Sequence, residues 1–152
     1  MPNNMSFPRP IPFILSLVFL ASLSCGKTTI SLTPEEQLVR NLTGAGNRLW
    51  MIRELYINDT SQSLTASQLM YWKTYTIAFG IPEARNGTFA DQQGYKGSWS
   101  VVDANNFTEQ IENTPNGQLV VLPMHINKLT ANELDVEYTA RRIKTRTVYF
   151  AN

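Results

Sequence analysis

The chain has 152 residues, of which 43% are hydrophobic, 16% charged and 11% aromatic, with 13 basic residues against 12 acidic ones. That length indicates one domain, and so high an aromatic content with so little charge excludes an intrinsically disordered chain. A single cysteine and a single histidine exclude a disulfide framework and a cysteine-rich zinc site.

Residues 1–24 read as a leader that stands apart from the fold. Arg9 supplies a positive start, and Ile11 to Ser24 is an apolar run of 14 residues broken only by Pro12 and three serines. A membrane-spanning helix needs about 20 apolar residues, so the run has the size of a signal-peptide core instead. It ends Ala21-Ser22-Leu23-Ser24-Cys25-Gly26, small residues leading straight into a cysteine. This resembles the lipobox of bacterial lipoproteins, and the resemblance implies lipidation at Cys25 and a membrane partner reached through that anchor. The alternative is an ordinary secretory leader that leaves Cys25 a free thiol. Residues 25–33 form a polar tether without the acidic cluster of surface-exported lipoproteins. The expected location is therefore the outer membrane or cell envelope, facing the periplasm. Losing the leader removes Arg9 and leaves 12 basic against 12 acidic residues, and a neutral domain lacks the electrostatic footprint of a nucleic-acid binder.

The domain proper is expected over 34–152. Thr33 suits a helix N-cap, Pro34 the first helical position and Glu36 the reciprocal capping contact. Leu38 and Leu42 share a face, and Gly44 can end the helix, predicting a short helix over 33–43. From Arg48 the pattern changes to strand-like runs near 48–57, 70–80, 86–91, 95–103, 106–111, 118–126, 132–138 and 142–150. Turn residues separate them. Eight such runs at regular spacing predict an all-β fold, an antiparallel sandwich or barrel. The last two runs give the strongest register signal. Glu133, Asp135 and Glu137 alternate with Leu134 and Val136, while Arg142, Lys144 and Arg146 alternate with Ile143 and Thr145. A hairpin centred between Thr139 and Ala140 would pair Glu137 with Arg142, Asp135 with Lys144 and Glu133 with Arg146. A one-residue slip would send these charges into the core. The basic segment reads as a compensated outer face, with an anion or headgroup site as the other reading.

The connection 58–69 is longer than a hairpin turn, with Leu64 to Leu69 suited to a short helical turn, and long loops are frequently functional. Over the open end of a barrel it would serve as a lid. Leu42-Thr43-Gly44, Arg48-Leu49-Trp50-Met51-Ile52, Gly97-Ser98-Trp99-Ser100-Val101, Ile126-Asn127-Lys128-Leu129-Thr130 and Leu134-Asp135-Val136 together resemble the lipocalin-like lipoproteins of Bacteroidota, over residues 42–152. The resemblance implies an eight-stranded antiparallel up-and-down barrel, with a short N-terminal helix, that could hold a small apolar ligand. The Gly-x-Trp usual at a lipocalin first strand stands here at 97–99, on the fourth strand, with Gly46 four residues before Trp50.

An eight-stranded barrel is either filled by its side chains or just wide enough for one small ligand. Trp50 and Trp99 read as packing at one end. Tyr71, Tyr75 and Phe79, on one strand face, with Leu64 and Leu69 of the lid, are the candidate wall of a pocket for a small hydrophobic or amphipathic molecule. His125 has neither a second histidine nor a free cysteine to share a metal with, and Glu54 with His125 is the one pair to inspect for acid–base chemistry. No Gly-x-Ser-x-Gly elbow and no glycine-rich phosphate loop occur, so neither a cofactor, a metal nor an enzymatic activity is expected. The Asn-x-Thr triplets at Asn41, Asn58, Asn86 and Asn106 read as turn composition. The leading expectation is a lipid-anchored, non-catalytic binding protein. Its rival is a solid barrel whose outer surface docks a protein or polysaccharide.

Overall fold

The structure, a computed structural model, describes residues 31–151. The leader, Cys25 and most of the tether lie outside these residues. Ser31–Asn152 forms one compact unit.

Helix α1 (Pro34–Thr43) starts where its capping residues dictate. Thr33 Oγ1 accepts the Glu36 amide at 3.2 Å, and the Glu36 carboxylate accepts the Thr33 amide at 2.9 Å. Gly44, at φ +62°, ends the helix by returning its amide to the Arg40 carbonyl. Among the described residues nine strands follow: β1 (Asn47–Ile57), β2 (Thr60–Gln62), β3 (Trp72–Ile77), β4 (Asn86–Asp91), β5 (Lys96–Asp103), β6 (Asn106–Ile111), β7 (Val120–Leu129), β8 (Glu133–Ala140) and β9 (Ile143–Ala151). A four-residue helix, α2 (Ala66–Leu69), lies between β2 and β3. Each strand pairs antiparallel with the next around the series β1-β3-β4-β5-β6-β7-β8-β9, and β9 pairs back onto β1, closing an eight-stranded barrel. The three-residue β2 was not among the expected strands. It folds back on the end of β1 as a hairpin and adds nothing to the ring.

Up-and-down connectivity gives the barrel two ends of different character. Helix α1 covers one of them, burying Leu38, Val39 and Leu42 against an aromatic layer of Trp50, Tyr75, Trp99 and Phe107. The Trp50 indole donates to the Leu42 carbonyl at 2.9 Å and so ties helix to barrel. Tyr75 meets the Trp99 and Phe107 rings edge-on, at 6.4 and 5.9 Å between centroids. Trp99 Nε1 donates to the carbonyls of Thr76 and Thr88 at 3.2 and 3.1 Å. Gly87 makes that seat possible, because a Cβ there would stand 1.9 Å from the Thr76 carbonyl oxygen and 2.8 Å from Trp99 Nε1. The wall at this end is therefore solid.

Strict alternation fails once on β1. The pairing with β9 skips Arg53, a bulge that adds one residue between Ile52 and Glu54. Arg53 lays its guanidinium over the Phe150 ring at 4.3 Å. Beyond the bulge Leu55 and Ile57 face inward, on the same side as Ile52, while Glu54 and Tyr56 take the other face and hydrogen-bond to each other at 2.7 Å.

The terminal hairpin forms, in a register four residues from the expected one. Its two-residue turn is Arg141-Arg142, at φ +50° and +68°, so Glu137 lies opposite Arg146 and Asp135 opposite Val148. An even shift keeps the in–out parity of the strand residues, while Arg142 moves from the expected strand face into the turn. The charges then pair diagonally, Arg146 with Asp135 at 2.6 Å and Lys144 with Glu137 at 3.3 Å. Two further contacts, Lys144 to Asp59 and the Lys144 amide to Asn58 Oδ1, join this turn to the β1–β2 turn.

Candidate functional site

At the end away from α1 the barrel is hollow, with a cavity of about 730 Å³. Its apolar wall comes from Ile52, Leu55, Ile57, Ile111, Leu122 and Tyr138, inward-facing positions of β1, β6, β7 and β8. Leu64, Ser67 and Gln68 of the β2–β3 connection, with Gln92, Gln93 and Tyr95 of the β4–β5 turn, form the mouth. Helix α2 at that mouth is closed by its own capping box, Thr65 Oγ1 accepting the Gln68 amide at 3.3 Å and Gln68 Oε1 accepting the Thr65 amide at 2.9 Å. The connection 58–69 thus stands where a lid would stand.

The floor is charged. Lys73 on β3 and Glu109 on β6 face each other across the interior, the lysine 9% and the glutamate 1% exposed. Lys73 Nζ donates to both Glu109 oxygens, at 2.9 and 2.8 Å, and the Tyr75 hydroxyl donates to Oε1. The ammonium also stands 5.0 Å from the Phe89 ring centroid, a cation–π contact in a desolvated setting. Burial alone would favour the neutral amine, but the Glu109 carboxylate outweighs it and holds Lys73 above its ordinary value. Burial pushes the Tyr75 hydroxyl up, and the Glu109 charge pushes it further. Lys73 and Tyr75 are thus both held in their protonated forms at neutral pH.

Asp91, directly opposite Lys73 in the β3–β4 ladder, is 8% exposed. Its Oδ2 accepts the Tyr71 hydroxyl at 2.7 Å and its Oδ1 the Tyr95 amide at 3.0 Å. Burial, with Tyr149 and Asp91 behind it, raises the Tyr71 hydroxyl far above its usual value. Burial likewise raises Tyr149, which lines the cavity from β9. No buried side-chain polar atom among the described residues lacks a hydrogen-bond partner, and no three His, Cys, Asp or Glu side chains among them converge as metal ligands.

The five candidate wall residues part company. Tyr71 and Leu64 line the cavity. Tyr75 lies one layer deeper, wholly buried in the aromatic plug, and reaches the site only through its hydroxyl on Glu109. Leu69, at the end of α2, is 45% exposed and outside the lining. Phe79 is 94% exposed: β3 stops at Ile77, and a 3-10 turn over Ala78–Gly80 puts Phe79 at φ +56°, so the parity that placed it beside Tyr75 no longer applies. Glu54 and His125 are not brought together either. Glu54 bonds Tyr56, and His125 is exposed, with Nδ1 2.9 Å from Asn106 Oδ1. The anchor site at Cys25 lies outside the described residues.

Sequence reasoning missed Lys73, Glu109 and Asp91, although their positions carried a signal. Lys73 falls between Tyr71 and Tyr75, Glu109 between Phe107 and Ile111, and Asp91 two after Phe89, each at inward parity. One cation and two carboxylates interrupting apolar stripes on three adjacent or facing strands mark a polar patch inside a barrel.

These features define a closed antiparallel barrel plugged at one end and open at the other over a buried ion pair. No protein-family model, no curated protein and no solved structure matches the chain.

Proposed function

We propose that the protein is a lipid-anchored, lipocalin-like binding protein of the cell envelope that captures a small amphipathic molecule without chemical change. One observation carries the binding role: the barrel interior holds a cavity of about 730 Å³, apolar along its sides and polar at its floor. Small-molecule sites have this size and this division of labour, apolar surface for affinity and a few placed polar groups for orientation. Ligand surface leaving water gains about 25 cal/mol per Å². The preformed, hydrogen-bonded floor spares the ligand the cost of ordering its partners. The anchor and the envelope location rest on the run Ala21 to Gly26 and on the apolar stretch before it. The rival reading, a solid barrel that docks a protein or polysaccharide, requires a filled interior, and only the α1 half is filled.

The test is binding of Nile red, a neutral environment-sensitive dye, together with native mass spectrometry of protein purified without detergent. Wild type is expected to carry a co-purified small molecule and to enhance dye emission. Leu122→Trp, which puts an indole into the cavity, is expected to lose both while keeping its circular dichroism spectrum. Wild-type protein that carries nothing and leaves the dye dark would overturn the reading.

A further inference from the structure

We propose that the cavity selects amphiphiles ending in a protonated amine over those ending in a carboxylate. This rests on the binding role proposed above and gives it a ligand class. Among the described residues that line the cavity, the only cation is Lys73, and it faces two carboxylates, Glu109 and Asp91. Lys73 already has two of its three N–H donors and its charge committed. Its ammonium gives two hydrogen bonds to Glu109 at 2.8–2.9 Å and lies against the Phe89 ring, so its charge is neutralised where it stands. Asp91 is left over. It has no salt-bridge partner among the described residues, and its two hydrogen bonds come from neutral donors, the Tyr71 hydroxyl and the Tyr95 amide.

A carboxylate offers about four acceptor positions, and two bonds leave room for a ligand's N–H groups. Asp91 also has the right height. It ends β4 level with Lys73, above the aromatic plug and below the mouth formed by the β4–β5 turn. A cationic head there would meet one uncompensated carboxylate in a low-dielectric setting, where unit charges attract far more than in water. An anionic head would meet repulsion from Asp91 and find the Lys73 charge already paired with Glu109. Arg141 and Arg142 also stand at this end of the barrel, but both are exposed and outside the lining, so water and salt screen them. The tail would lie along Ile52, Leu55 and Leu122.

Three ten-carbon probes with the same tail separate head-group selection from simple apolar capture. Decylammonium, decanol and decanoate are titrated calorimetrically at pH 7, each below its micelle concentration. Decylammonium is expected to bind at least about ten-fold more tightly than decanol, with decanoate weakest. In Asp91→Asn the preference for decylammonium over decanol should shrink several-fold while decanol affinity holds. Should that variant not fold, the wild-type ranking decides alone. Decanol or decanoate binding as tightly as decylammonium overturns the amine preference and leaves the binding role intact. None of the three binding, with Nile red also unbound, overturns both.

Discussion

Lys73, Glu109 and Tyr75 hydrogen-bond to one another inside the barrel, and the energetics of such a group are asymmetric. Burying two charges costs several kcal/mol each, and a well-made pair roughly recovers that cost, so the pair adds little net stability. Removing one partner strands the other. Lys73→Met is therefore expected to destabilise the fold by about 3–5 kcal/mol in urea denaturation. The triple change Lys73→Met, Glu109→Leu, Tyr75→Phe, which withdraws all three polar ends together, should recover most of the loss. A triple variant no more stable than the single one would show that the pair supports the barrel rather than the site. The pH dependence follows from the raised lysine. Its contribution is complete below the ordinary value near 10.5, and it is lost only as pH rises through the higher folded value. Wild-type stability should therefore show no loss from this lysine across neutral and mildly alkaline pH.

Among the elements, the two turns at the open end differ in fitness for the same geometry. Both place two non-glycine residues at positive φ, Asn58-Asp59 at +47° and +64° and Arg141-Arg142 at +50° and +68°. Asparagine and aspartate tolerate that region, and Asn58 adds a side-chain bond to the Lys144 amide at 2.9 Å. Arginine has no such compensation, and a left-handed residue with a Cβ costs roughly 1–2 kcal/mol. Arg141→Asn with Arg142→Gly, the pair that two-residue hairpins favour, is expected to stabilise the protein by about 1 kcal/mol. Thermal melting should then rise by about 4 °C, and an unchanged or lower midpoint would contradict it. The same turn shows where the sequence stops being legible. The alternation of acids and bases on β8 and β9 gave the faces and the antiparallel partnership correctly. It could not give the register, because Glu, Asp, Lys and Arg pair as well on the diagonal as straight across, and Arg141-Arg142 carries no turn signal. Phe79 failed for a related reason, since parity extends only as far as the strand. The capping box of α1 and the Asn58-Asp59 turn were legible because their chemistry is local.

Across the whole molecule, stability and binding are divided between the two ends. The α1 end holds the aromatic plug and the best-buried residues, whereas the mouth is built from exposed connections and α2, which buries none of its own side chains. Low local stability suits a segment that must open. Replacing residues 63–69 with a short Gly-Ser linker should leave the urea midpoint nearly unchanged, while Nile red release, followed by stopped-flow fluorescence, speeds up by about ten-fold, since affinity changes within one site act chiefly on the dissociation rate. Unaltered release would mean that the connection borders the mouth without gating it. The sequence carried this polarity only in part. The length of 58–69 marked the mouth and the tryptophans marked the plug. The charged floor stayed hidden because three isolated residues on three strands become neighbours only once the ring closes.

Arg53 has a role out of proportion to its place on the surface. As one inserted residue it shifts the in–out frame of everything after it on β1, and Leu55 and Ile57 owe their inward aim to that shift. Deleting this single codon would remove the bulge and leave Leu55 and Ile57 facing inward, whereas drawing Arg53 into an unbroken ladder would turn Glu54 and Tyr56 inward and make a greasy lining acidic. The chemistry of this wall thus hangs on whether one residue is looped out of the pairing, with no substitution needed to change it.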